Sequence, residues 1–275
     1  MSENNGRSWN NAPIVLTIAG FDPSSGAGVT ADVKTAAAHG CFAACCITAL
    51  TVQSTQGVRS VHRVNGTVIR ATLEELARDL PIAAVRLGML GSAEVAEAVA
   101  DFLDRFRPAM VVTDPVIRAS SGAALLDEAG VAILKDRILP LSAVVTPNVA
   151  EAEELTGVKI ETQEDQNRAA QALLELGVGA AVVTGGHLAE AVDLLAWRGC
   201  DEIHEKRFAG AHLESRSTHG TGCAFAMSLA CSLAKGIPLE PAVAEAKTYV
   251  CRAIETAHPM GKGIGPVNHL WPFER

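Results

Sequence analysis

Short apolar runs alternate with longer, helix-spaced segments from Ile14 almost to the C-terminus, and this alternation restricts the chain to a mostly parallel sheet with right-handed helical crossovers. The first run, Ile14-Val15-Leu16-Thr17-Ile18-Ala19, has the near-continuous apolarity of a strand covered on both faces, and it enters a glycine-rich loop from Gly20 to Gly28. A helix near Val29–His39 follows, then a strand over Cys45–Val52 and a shorter, more exposed one over Arg59–Val64. Helices near Thr67–Leu80, Ala93–Phe106 and Asp127–Ile138 then alternate with strands near Ala84–Leu87, Met110–Thr113 and Ala143–Val145. Past Thr146-Pro147-Asn148 the pattern gives helices near Val149–Leu155 and Gln163–Leu176, a buried strand Ala180–Thr184, antiparallel strands around Leu194–Trp197 and Ile203–Phe208, and a last helix from Glu240 to Ala257. In sheets of this kind ligands gather beyond the carboxyl ends of the strands.

With 275 residues, 48% of them hydrophobic, the chain has ample material for a core, and its steady composition predicts one domain over residues 13–275 behind a polar, frayed tail, 1–12. A formal charge of −8 without a basic cluster excludes nucleic acid and anionic membrane as main partners. Seven cysteines without paired or metal-finger spacing fit free thiols in a reducing compartment. No secretory signal or membrane-length apolar run is present, so the expectation is a cytoplasmic protein.

The stretch Ser217-Thr218-His219-Gly220-Thr221-Gly222-Cys223 runs into the small, apolar, helix-spaced Ala224-Phe225-Ala226-Met227-Ser228-Leu229-Ala230. Two glycines before a helix let the backbone approach a ligand, and the unpaired amides and dipole of the first turn favour phosphate. The plainer reading is a glycine turn with Thr218 or Thr221 capping the helix. Cys223 sits where that field lowers a thiol's pKa, which makes it a candidate base or nucleophile; a buried, inert thiol is the alternative. In so acidic a chain, a phosphate ligand needs local help from amides and a metal.

Other strand ends carry polar residues. Gly26-Ala27-Gly28-Val29-Thr30-Ala31 has the form of a dinucleotide fingerprint, but the acid expected roughly 20 residues on is replaced by Thr51-Val52-Gln53, and no Walker sequence occurs. Asp32 either compensates its helix dipole or accepts from a ligand's amine or hydroxyl. Asn148 and Glu151 form either a capping box or, through Glu151, a water-mediated magnesium site. Asp114-Pro115 either starts a turn or adds charge beside the metal. Gln53 and Met89 are candidate pocket walls.

Together these motifs resemble the ribokinase-like superfamily, and closely its hydroxymethylpyrimidine/phosphomethylpyrimidine kinases. The signposts are Ala19-Gly20-Phe21-Asp22-Pro23-Ser24-Ser25-Gly26-Ala27-Gly28, Ala31-Asp32-Val33-Lys34-Thr35, Ile47–Gln53, Gly88-Met89-Leu90, Asp114-Pro115-Val116, Thr146-Pro147-Asn148, Gly185-Gly186-His187, Gly220–Cys223 and Gly263–His269. The resemblance implies a three-layer α/β/α sandwich without a separate lid domain, acting on MgATP and a pyrimidine alcohol and then its phosphate, as a homodimer. By resemblance, Asp32 and Gln53 hold the pyrimidine, and Gly20 and Met89 line its pocket. Asn148, Thr184 and Gly186 serve the nucleotide, and Glu151 and Asp114 the magnesium. Gly220, Thr221 and Gly222 form the anion hole, with Cys223 at the catalytic position.

Two departures stand out: relatives commonly carry lysine at the positions of Ser120 and Thr184. Arg118, or more weakly Lys262, is the candidate replacement near the phosphates. The missing cations put the second, diphosphate-forming step in question and keep a non-catalytic pyrimidine sensor as one alternative. A pyridoxal or pyridoxine kinase is the other.

Overall fold

In the computed structural model, residues 11–119, 122–185, 192–200, 202–210 and 215–274 are described. Eight helices are formed among them: α1 (Gly28–Ala38), α2 (Gly66–Asp79), α3 (Ala93–Phe106), α4 (Glu128–Ile133), α5 (Val149–Thr156), α6 (Gln163–Glu175), α7 (Thr221–Ala234) and α8 (Leu239–Glu255). They cover a sheet of β1 (Ile14–Phe21), β2 (Phe42–Ser54), β3 (Gly57–Arg63), β4 (Ile82–Leu87), β5 (Val111–Thr113), β6 (Val144–Val145), β7 (Ala180–Val183), β8 (Asp193–Arg198) and β9 (Ile203–Phe208). The strand order is β3-β2-β1-β4-β5-β6-β7-β8-β9. The six strands from β2 to β7 in that order run parallel, while β3 at one edge and β8 and β9 at the other pair antiparallel.

Strand side chains alternate between two cores, and that alternation makes the three layers. Leu16, Ile18, Val85, Leu87, Val111, Val145, Ala181 and Val183 pack with α2, α3, α5 and α6. Val15, Ala84, Val112, Val144, Ala180 and Val182 face the other way, onto α1, α7 and α8. Each large aliphatic side chain buried in this way contributes about 2 kcal/mol. The continuous apolarity of the central strands in the sequence reflects this cover on both faces.

The chain departs from the expected elements in three places, the first being β2, which runs from Phe42 to Ser54 where Cys45–Val52 was expected. The helix expected over Asp127–Ile138 stops at Ile133 and continues as a π-helical turn, Leu134–Ile138, and a 3-10 turn, Leu139–Leu141, where Pro140 cannot supply a helical amide. The exposed edge strand begins earlier than expected, at Gly57, because Ser54 and Gly57 close a hairpin with β2. Of the tail expected to fray, residues 1–10 lie outside the described residues. No helix among the described residues is long and apolar enough to cross a membrane.

The C-terminal segment returns to brace the first loop. His269 is buried, with Nε2 3.0 Å from the Gly26 carbonyl and Nδ1 3.3 Å from the Thr35 hydroxyl. The consistent assignment has Nε2–H donating to Gly26 and Nδ1 accepting from Thr35. Burial disfavours the imidazolium and pulls its pKa down to about 4. Protons therefore bind the unfolded chain first as the pH falls. We expect this histidine's contribution, up to about 3 kcal/mol, to be complete above pH ~6.5 and lost toward pH 4. Denaturant midpoints measured across that window should fall in the parent and fall less in H269Q; equal slopes would contradict this brace.

Candidate active site

Two glycine turns lie back to back at the carboxyl ends of the strands. Gly220 has φ 86°, and a Cβ on it would sit 1.8 Å from the Gly26 carbonyl oxygen. Only glycine meets both the conformation and the approach. Beyond it, Ala224 N–H donates to the Gly220 carbonyl at 2.9 Å as α7 begins, while Thr221 N–H reaches the Thr218 carbonyl only at 3.4 Å. Among the described residues the amides of Gly222 and Cys223 have no backbone acceptor, and Gly222 is exposed. Gly220 carries no side-chain cap, so this helix tip is open, positively polarised and glycine-lined.

Beside the tip, Asp22 ties the two turns together. Its Oδ1 accepts from Ser24 N–H and Oγ–H at 2.8 and 2.7 Å; its Oδ2 accepts from Ala27 and Gly26 N–H at 2.9 and 3.2 Å and from His219 Nε2 at 2.7 Å. Burial alone would raise this carboxyl, but the bonds from His219 and Ser24 outweigh it and hold Asp22 at about 2. With Asp22 ionised, the His219 Nε2 proton belongs to that bond. The Gln53 Nε2 amide, 3.2 Å from the same ring nitrogen, then faces a donor, while Gln53 Oε1 accepts from Thr51 Oγ–H at 3.1 Å. That leaves the Gln53 amide protons for an acceptor on a ligand. Gly20 and Met89 close the neighbouring wall, since a Cβ on Gly20 would lie 2.9 Å from Met89 Sδ.

Asp32 does not stand at this wall. It is fully buried, its Oδ2 accepting from the Thr17 hydroxyl and, at 3.1 Å, from Arg86 Nη1. Arg86, also fully buried, donates through Nη2 to Asp114 Oδ2 at 2.7 Å and contacts the Cys223 thiol. Burial pushes Asp32 up to about 6 against the pull of Arg86 and Thr17. A charge this deep in an apolar strand was the part of the site the sequence reading missed.

Cys223 lies where expected, at the α7 tip, but its ionisation runs opposite to expectation. Burial pushes the thiol up to about 11; Arg86 and the Gly28 amide pull it down, and the Asp114 and Asp32 carboxylates push it further up. Part of the residue stays open to solvent, which tempers the effect without reversing it. The helix field is therefore outweighed by burial and two nearby acids.

On the other side of the tip, Asn148 and Thr184 meet across β6 and β7, with Thr184 N–H donating to the Pro147 carbonyl at 2.9 Å. Asn148 and Glu151 form the capping box: Asn148 N–H donates to Glu151 Oε2, and Glu151 N–H to Asn148 Oδ1, both at 3.0 Å. Burial, reinforced by Asp114, pushes Glu151 up to about 8, and burial raises Asp114 despite Arg86. Two acids held above their ordinary range side by side are a donor set suited to a cation. Among the described residues no cluster of three or more His, Cys, Asp or Glu could hold a metal alone, so such a cation would draw further ligands from phosphate and water. Arg118 is paired with Glu154 at 3.3 Å on the surface. Gly186 and Ser120 lie outside the described residues.

A mostly parallel sheet between helical layers, with an open helix tip at its strands' carboxyl ends, defines a ribokinase-like phosphotransferase. The chain belongs to the phosphomethylpyrimidine kinase family, which matches residues 22–268. It is 42% identical over 260 residues to a hydroxymethylpyrimidine/phosphomethylpyrimidine kinase of Streptomyces coelicolor, covering 94% of this chain and 95% of that one. It is 44% identical over 262 residues to the thiamine biosynthesis bifunctional protein ThiED of Geobacter sulfurreducens, covering 94% of this chain and spanning about half, 53%, of that longer protein. A pyridoxal kinase of Bacillus subtilis in complex with ADP superposes with a TM-score of 0.85 at 28% identity, over 94% of this chain and 98% of the other. A phosphomethylpyrimidine kinase of Clostridium difficile does so with 0.77 at 35% identity, over 88% and 99%. The chain is thus an enzyme of the kinase class, and the dinucleotide and sensor readings give way.

The raised thiol is directly measurable. Iodoacetamide labelling of Cys223, followed by peptide mass mapping, should be slow at neutral pH and climb without a plateau below about pH 10. A plateau near neutrality would show a preformed thiolate.

Proposed function

We propose that this enzyme transfers the terminal phosphoryl group of ATP to the hydroxymethyl group of 4-amino-5-hydroxymethyl-2-methylpyrimidine, and then to the resulting monophosphate. The observation that carries this reading is the open tip of α7, whose His219 stands 3.2 Å from Gln53 and whose Gly222 borders Asp114. Three residues of backbone, His219 to Gly222, therefore separate a side suited to a flat, hydrogen-bonding ring from one suited to phosphate. The family match and the ADP complex of a structural neighbour support kinase chemistry with ATP as donor.

In this reading the Gln53 amide donates to a ring nitrogen, with Gly20 and Met89 as the wall that the ring packs on. The amides at Gly220, Thr221, Gly222 and Cys223 cradle the transferring phosphoryl group, matching preorganised donors to charge that spreads over its oxygens. Asn148 and Thr184 border the nucleotide. Asp114 and Glu151 fit Mg²⁺, which when bound neutralises phosphate charge. The residues from 13 to 275 act as one kinase unit, paired as a homodimer in the cytoplasm.

Cys223 takes the proton of the attacking hydroxyl late, since the loose transition state asks for little deprotonation beforehand. With the thiol held at about 11, its thiolate is a minor species at neutral pH. We expect kcat to rise with pH across roughly 7 to 9, and C223A to lose at least about tenfold in kcat, with that slope, while pyrimidine KM is nearly kept. An unchanged rate in C223A would make the thiol a bystander.

Pyridoxal is the second acceptor worth testing, because pyridoxal kinases share the fold closely. Incubation of each alcohol with MgATP, read by mass, should give pyrimidine monophosphate and then diphosphate, with slower formation of pyridoxal phosphate. Faster turnover of pyridoxal would overturn the assignment of substrate. A reaction halting at the monophosphate would confine the enzyme to the first step.

A further inference from the structure

Arg86 occupies a position that the proposed chemistry leaves without a role. Among the described residues it is the largest fully buried side chain, set in an otherwise apolar strand, and the structure makes room for it at a cost elsewhere: a Cβ on Gly88 would lie 2.1 Å from Arg86 Nη1. Its two terminal nitrogens are divided between Asp32 and Asp114. Removing either partner from such a group strands a buried charge. Asp114 Oδ2 is committed to Arg86, while among the described residues no side-chain donor is recorded for Oδ1, and both oxygens lie just under 4 Å, at 3.9 and 3.8 Å, from where a Cβ on Gly222 would sit. Asp114 is thus clamped from behind and faces the phosphate tip in front.

Asp32, in contrast, has no face on open space. Its side chain is 0% exposed, Oδ2 is shared by Thr17 and Arg86, and Oδ1 is buried without a partner among the described residues. A ring amine could not reach it without displacing the side chains that cover it.

We infer that Thr17, Asp32 and Arg86 form a buried clamp that positions Asp114 toward the cation carried by the nucleotide, and that Asp32 acts through this clamp rather than on the pyrimidine. This rests on the reading of Asp114 as a metal-facing residue. Arg86 is a positioning residue of the kind that orients a ligand from behind, and loss of such partners weakens metal binding by roughly 10–100-fold. The sign distinguishes positioning from bulk charge. Deleting Arg86 makes the site more negative, so electrostatics alone would tighten a divalent cation, whereas loss of positioning loosens it.

The experiment is a Mn²⁺ titration by water-proton relaxation, with a nonhydrolysable ATP analogue present, on the parent, R86K, the double variant D32N/R86M and D114N. Pyrimidine KM is measured alongside. The double variant removes both buried charges together, keeps the net charge and avoids stranding Asp32; thermal melts confirm folding. Mn²⁺ affinity should fall at least about tenfold in D32N/R86M and in D114N, with R86K, whose single ammonium cannot serve both acids, falling between them and the parent. Pyrimidine KM in D32N/R86M should stay within about threefold of the parent. Parental Mn²⁺ affinity in D32N/R86M beside a weakened D114N would overturn the clamp alone. Parental affinity in D114N would overturn the metal reading itself, and a large rise in pyrimidine KM with Mn²⁺ affinity kept would return Asp32 to the ring.

Discussion

The backbone of Gly220 rests against the carbonyl of Gly26, and the site depends on that contact. It brings the start of α7 against the loop after β1, so that amides for a phosphate and side chains for a ring face one another across a few ångströms. Any side chain at Gly220 would force the turns apart. The polar bonds around the contact all serve to hold it: Asp22 gathers two loop amides and His219, and His269 holds the Gly26 carbonyl from beneath. The sheet supplies the rest, because six parallel strands end at one edge and deliver their loops to the same place.

Charge is distributed across this site in a consistent way. Asp22, which accepts from five donors, is stabilised in its ionised form and acts as a structural anchor. The acids nearer the phosphate side, Asp114 and Glu151, are held above their ordinary range, and Cys223 is held protonated by burial and by the Asp114 and Asp32 carboxylates. The free enzyme therefore stores an unmet demand for positive charge beside amides that seek negative charge. A nucleotide arriving with a divalent cation answers both demands at once, and catalysis by positioning follows from that match more than from a strong base.

Much of this could be read in the sequence. The apolar runs located the strands because a sheet covered on both faces leaves little room for polar residues, and Ile203–Phe208 was bounded correctly even at the exposed edge. The glycines at 220 and 222 announced an open helix tip, since few other residues would leave amides uncovered. The capping box of Asn148 and Glu151 was legible because it is a local arrangement fixed by a spacing of three. What the sequence hid was long-range. Arg86 sits in Ala83-Ala84-Val85-Arg86-Leu87, where an arginine inside an apolar run was the available signal, but its partners are 54 and 28 positions away. The burial of Asp32 was hidden because helical phase says which face a side chain takes, not what fills the space before it. The thiol's field was read from the helix alone, and the burial that reverses it comes from residues gathered by the fold.

A crystal structure of the enzyme with a nonhydrolysable ATP analogue and the pyrimidine alcohol tests the central claim most directly. The account predicts terminal phosphate oxygens within hydrogen-bond distance of the Gly222 and Cys223 amides, and the ring on Met89 with its nitrogen against Gln53. A terminal phosphate bound elsewhere, with those two amides facing only water, would contradict it.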